Sequence, residues 1–157
     1  MNTATAVCRK CQSEARVESL PGVAGDEGGV RVNFPALPAL VCARGHRRFV
    51  MPGFPAGVLE RLSAGLQLPA GKAKGLLVKR YYCGACDAAL DRGATADRTY
   101  GIDVDVKETG PVRVELTVPV LACPACGREQ VASPDEIAKL VPAAMARAFQ
   151  SAEIPPG

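Results

Sequence analysis

Eight residues can bind metal, and their spacing says how. The seven cysteines stand at positions 8, 11, 42, 83, 86, 123 and 126, and the sole histidine is His46. They fall into four close pairs. Cys8/Cys11, Cys83/Cys86 and Cys123/Cys126 are C-x2-C, and Cys42/His46 is C-x3-H. Two intervening residues make a tight turn whose backbone wraps a tetrahedral ion, with amides free to donate to the thiolates. Four ligands satisfy one zinc, so these eight satisfy two with none left over. A C-x2-C can also be a redox dithiol, but no helical pattern follows Cys86, and Cys123/Cys126 supplies a second pair downstream. His46, beside Arg44, Arg47 and Arg48, could be an exposed side chain; Cys42 then has no near partner. Cys8, Cys11, Cys42 and His46 are therefore assigned to one metal, and Cys83, Cys86, Cys123 and Cys126 to another. Closed four-ligand sites leave no place for water or substrate, so both are expected to be structural. The cofactor expected is zinc, two per chain. Iron suits an all-cysteine set as well, whereas imidazole with thiolates favours zinc in the first.

The elements that position these ligands repeat. In each half a C-x2-C precedes a hairpin, a second knuckle, a short apolar strand (Phe49 and Val50; Gln130 and Val131) and a helix around Leu59 or Ile137. The halves are offset by 75 residues at the first knuckle, 81 at the second and 78 at the helix. This reads as an internal duplication.

Over residues 8–50 and 81–132, including the run from Cys123 to Gly127, the chain resembles the zinc-ribbon group, which shares the rubredoxin-like architecture. The motifs are specific for metal binding and fold, not for one family, and the C-x3-H knuckle departs from the all-cysteine pattern. The resemblance implies a small metal-stabilised α+β protein: tandem zinc ribbons, antiparallel β-hairpins with zinc knuckles, each followed by a short helix. The expected organisation is a first unit with its helix at 1–65, a linker at 66–80, a second unit with a C-terminal helix at 81–150 and a flexible tail at 151–157.

Period-two alternation marks strands at 100–107 and 112–120. A turn at Glu108, Thr109 and Gly110 would set Val106 against Val112, Val104 against Val114 and Asp105 against Arg113. Asp103 and Asp105 read as a solvated strand face, since no third ligand joins them. Residues 15–20 and 30–34 predict the first hairpin, joined through 25–29. Pro55 opens a short helix over 55–64. Ser133, Pro134, Asp135 and Glu136 make a helix start. Ile137, Leu140, Val141, Ala144, Ala148 and Phe149 form its apolar stripe, and Pro142 predicts a kink or two short helices.

Composition narrows the function. The chain has 157 residues, a net charge of +3, 16 Gly, 13 Pro and only 4% aromatic residues, without Trp. Residues 1–75 carry +5 and residues 76–157 carry −2. That balance is too mild for coating nucleic acid by charge, and a long aromatic stacking platform for single strands is not expected. No apolar run is long enough to cross a membrane and no secretory leader is evident, so a cytoplasmic location with reduced thiols is expected, without a membrane partner. Gly71 and Lys72 do not make a phosphate loop: five residues separate Gly65 from Gly71, and Ala73 replaces the hydroxyl that would meet magnesium. With the histidine and every cysteine assigned to metal, no nucleophile–base pair remains, so the chain is read as non-enzymatic, with no catalytic residues. Arg9, Lys10, Arg44, Arg47 and Arg48 cluster around the first metal and could contact a polyanion; cations near thiolates are also expected simply to offset charge. The reading is recognition of a macromolecular partner, protein favoured. Nucleic-acid binding is the alternative, and a rubredoxin-like iron electron carrier stands behind both.

Overall fold

The computed structural model describes residues 6–91, 93, 95–106 and 109–156. Among these described residues nine strands and two helices follow in the order β1 (Ala6–Val7), β2 (Glu14–Glu27), β3 (Val30–Cys42), β4 (Arg47–Phe49), α1 (Phe54–Gly65), β5 (Lys72–Lys74), β6 (Arg80–Tyr82), β7 (Thr95–Val106), β8 (Gly110–Ala122), β9 (Glu129–Gln130) and α2 (Pro134–Ser151). This is a small α+β protein built mostly of antiparallel strands. Among the described residues no helix is long and apolar enough to cross a membrane.

The first hairpin is longer than the sequence predicts. The expected loop at 25–29 is strand as far as Glu27, and Glu27 pairs with Val30 across Gly28 and Gly29 alone, both at positive φ (57° and 87°). Gly25 is not a turn residue. A Cβ there would lie 2.2 Å from the Ala148 amide nitrogen, so its missing side chain lets α2 rest on β2. Strand β3 runs through Pro35 and Pro38 to Cys42. Both prolines fall between the stretch paired with β8 (residues 31–33) and the stretch paired with β4 (residues 39–41), so neither interrupts those ladders.

In the second hairpin the alternation holds but the register is two residues from the one expected. Val104 faces Val112, Ile102 faces Val114, and Arg113 sits opposite Asp103, with Nη1 3.6 Å from Oδ1. Gly110, at φ 76°, belongs to the strand and pairs with Val106, while the Thr109 amide and hydroxyl both donate to the Val106 carbonyl. Of the expected turn, Glu108 lies outside the described residues. A two-residue slip keeps every side chain on its face, so the apolar pattern alone does not exclude it.

The hairpins do not form separate bodies. Residues 31–33 of β3 pair with 115–117 of β8, placing β1, β2, β3, β8 and β7 in one sheet with β4 and β9 attached. The helices cross over: α2 packs on β2 and β3, and α1 packs against β7. All four phenylalanines meet at the crossing. Phe149 of α2 lies 5.4 Å from Phe34 and 4.8 Å from Phe49, and Phe49 stacks 5.8 Å from Phe54 of α1. One core therefore serves both halves, including Val32, Leu116, Val58, Val104, Val141 and Met145. Each fully buried aliphatic side chain contributes about 1.5–3 kcal/mol.

Helix α2 runs as one helix through Pro142, so of the expected kink or two short helices the second does not occur. A proline inside a helix, which loses one hydrogen bond and crowds the preceding turn, costs about 3 kcal/mol, and the buried stripe on either side holds the helix to the sheet. That stripe includes Met145, which the sequence reading omits, while Leu140 is only half-buried. Residues 152 and 154 do not trail. Glu153 takes φ 56°, its amide and that of Ile154 cap the Gln150 and Phe149 carbonyls, and Ala152 and Ile154 are buried in the core. The expected linker is tied down as well. Gly71 donates to the Val131 carbonyl, Val131 donates to that of Pro69, and β5 pairs with β6.

Candidate metal centres

Three of the four knuckles share one backbone turn. Gln12, Asp87 and Gly127 follow the second cysteine at positive φ (61°, 61° and 79°) and donate to the carbonyls of Cys8, Cys83 and Cys123. Those three cysteines in turn donate to Ser13, Ala88 and Arg128 at 2.7–2.9 Å. The fourth knuckle is one residue tighter. Gly45, at φ 85°, donates to Cys42, and Cys42 donates to His46. The left-handed residue therefore falls where the other turns carry their second cysteine. The ligand moves one position on, where the longer imidazole side chain reaches back. The C-x3-H spacing is thus the same kind of knuckle with a shortened turn.

These turns bring together both predicted ligand sets. The ligand atoms of Cys8, Cys11, Cys42 and His46 all lie within 4.8 Å of one another, and so do those of Cys83, Cys86, Cys123 and Cys126. Cys11 Sγ is 3.7 Å from Cys42 Sγ, and Cys8 Sγ is 3.5 Å from His46 Nδ1. In the second centre, Cys83 to Cys126 is 3.7 Å and Cys86 to Cys123 is 3.4 Å. A tetrahedral ion with sulfur at ~2.3 Å and nitrogen at ~2.0 Å requires about 3.8 Å between sulfurs and about 3.5 Å from sulfur to nitrogen. Disulfide sulfurs stand at ~2.05 Å, and every cysteine here is free. Both donor sets fit a metal ion.

The surroundings stabilise charge on sulfur. Ser13 Oγ lies 2.9 Å from Cys11 Sγ, and that hydroxyl and the Ser13 backbone lower the thiol to about 6. In the second centre the donor is Gln130. It is wholly buried; its Nε2 donates to Cys83 Sγ at 3.2 Å, and its Oε1 accepts from the Gly84 amide at 2.8 Å. This amide is the first cause, ahead of the Cys86 backbone, of lowering Cys83 to about 6. Backbone amides, Cys126 first, also lower Cys123. Cys86 goes the other way. The Ala88 amide pulls it down, but the neighbouring sulfurs, Cys123 first, prevail and push it up to about 12. Four sulfurs this close compete for negative charge, and a divalent cation is the group that offsets it. Sequence reasoning missed Gln130 and Ser13. The only signal for Gln130 was an uncharged polar residue on a short strand after a knuckle.

The two centres are far apart. From the Val32–Leu116 pair, β3 runs ten residues to Cys42 and β8 runs seven the opposite way to Cys123. That is roughly 55 Å of strand at about 3.3 Å per residue.

Arg9, Lys10 and Arg44 are exposed near the first centre. Alternation along β4 sends Arg47 and Phe49 to the helix-bearing face, where Arg47 Nη1 donates to the Ala152 carbonyl at 2.7 Å. Arg48 is half-buried, and its Nε has no hydrogen-bond partner among the described residues. Asp103 and Asp105 are exposed and join no metal-ligand cluster among the described residues. No family description, curated protein or solved structure matches the chain.

Proposed function

We propose that the chain is a non-enzymatic zinc-binding protein whose two metal centres brace a sheet that recognises a macromolecular partner, a protein in preference to a nucleic acid. The observation that carries it is the pair of complete four-ligand clusters, one at each end of the sheet. A cluster with four protein ligands supports fold rather than chemistry on a substrate. The tandem zinc-ribbon likeness belongs to this reading, with the qualification that both ribbons share a core. Zinc is the metal proposed for both centres. The cytoplasm, where thiols stay reduced, is the compartment proposed. The bond from Arg47 to the Ala152 carbonyl supports protein over nucleic acid, because it engages one guanidinium N–H that phosphate contact would use.

Native mass spectrometry with metal analysis tests the first part: two zinc ions per chain are expected, and one or none overturns it. Salt titration on unrelated duplex and single-stranded DNA tests the second. Tight binding that falls with salt and is lost in Arg9→Ala/Lys10→Ala/Arg44→Ala overturns the preference for protein.

A further inference from the structure

Residues 75–79 form the tip of the β5–β6 hairpin, and that tip is apolar. Leu76, Leu77 and Val78 are 103%, 100% and 73% exposed, against a core that buries most other large aliphatic side chains of the chain. Cations flank them on both strands: Lys72 and Lys74 before, Lys79 and Arg80 after. No acidic residue occurs between Glu60 and Asp87. Lys72 pairs with Asp87 at 3.0 Å and Lys74 lies 5.0 Å from the Tyr82 ring centre, whereas Lys79 and Arg80 form no ion pair among the described residues.

The tip is held out on a firm base. Gly75 turns the chain at φ 119°, where a Cβ would stand 2.2 Å from the Val78 carbonyl oxygen. Three-residue strands carry the tip about 10 Å from the second centre. Below, Cys83 follows β6 directly, and Gly71 and Pro69 are bonded to Val131.

We infer that this hairpin docks on an anionic lipid surface, with Leu76, Leu77 and Val78 entering the acyl boundary and Lys79 and Arg80 meeting headgroup phosphates and carboxylates. Aliphatic side chains at a projecting tip gain by leaving water for hydrocarbon, and interfacial insertion reaches about 5–10 Å. The cations match the charge of such a surface. A second copy of the same tip would bring like charges together, and nucleic acid offers the three aliphatic side chains nothing apolar at its phosphate face. The inference goes beyond the proposed partner recognition and revises the expectation of no membrane partner: the chain lies on a bilayer and does not span it.

Sedimentation with phosphatidylcholine vesicles, with and without phosphatidylserine, tests it on the full zinc-loaded chain. The wild type is expected to sediment with the anionic vesicles only. Leu76→Asp/Leu77→Asp is expected to weaken binding tenfold or more, and Lys79→Ala/Arg80→Ala about twenty-five-fold, at about fivefold per cation. All four side chains are exposed, so metal content and melting temperature should stay unchanged; those readouts separate this inference from the zinc assignment. It is overturned if the wild type ignores anionic vesicles, or if the leucine variant binds them equally well. It is also overturned if the variants abolish binding to oligonucleotides, or a dimer, while vesicle binding is absent.

Discussion

The two metal centres begin from the same turn and are finished differently. Each buries the first cysteine of both knuckles, Cys8 and Cys42 in one, Cys83 and Cys123 in the other. Counted from those cysteines, Arg48 faces Leu40 as Gln130 faces Leu121. At that shared position the second centre has an amide that is buried, satisfied and bonded to sulfur. The first has a guanidinium whose Nε is bonded to nothing described. Their charges differ in the same sense. Three thiolates and an imidazole around a divalent ion carry −1, and four thiolates carry −2, so the second needs more help from neighbouring donors. The matched positions show that a repeated scaffold can keep its turns while its supporting groups follow the charge it holds.

The largest expected effect comes from removing a ligand. Cys123→Ser should release the second metal, and structural zinc contributes on the order of 10 kcal/mol or more in small domains. Because the core is shared, calorimetry of Cys123→Ser and of Cys8→Ser should each show one weakened transition for the whole chain. Two separate transitions, with one half intact, would restore the picture of independent ribbons.

Next is Gly25→Ala, which tests the crossing of α2 rather than a metal. Its methyl group would meet helix backbone, so a loss of about 3 kcal/mol is expected, read from denaturant midpoints with both metals retained. Unchanged stability would mean that α2 does not rest on β2.

The matched pair sharpens the contrast. Gln130→Leu leaves the Gly84 amide unpaired and removes a donor from Cys83. A loss of about 1–3 kcal/mol and a fall of about ten- to hundredfold in metal affinity at the second centre are expected. Arg48→Leu should leave affinity at the first centre within a few fold. Competition with a chelator reads both.

The smallest effect concerns Glu129, whose carboxyl is held below its usual range by hydrogen bonds from Arg98 at 2.6 and 2.7 Å. A lowered carboxyl adds stability that is complete above the unfolded value, near pH 4.3, and is lost as pH falls through the folded one. Arg98→Ala should therefore lower the melting temperature slightly at pH 7, with the difference shrinking in acid and in high salt. A gap that persists in acid would assign Arg98 a packing role.

What could be read from the sequence was local. Ligand spacing grouped the eight residues into the two sets whose donor atoms the fold brings within 4.8 Å, alternation found β7 and β8, and Ser133 marked the start of α2, where its hydroxyl accepts from the Glu136 amide at 3.3 Å. What could not be read depends on distant partners. Gly25 looks like a turn until Ala148 lies on it, Pro142 looks like a break until the sheet holds both sides of it, and nothing within either half announces the pairing of Val32 with Leu116.

The crossing of the helices also sets an order of events during synthesis. The apolar face of β2 and β3 emerges from the ribosome roughly a hundred residues before α2, which covers it. At about 5–20 residues per second, that face waits several seconds or more for its lid. The first half does not complete its core as it emerges; its apolar face stays uncovered until α2 arrives.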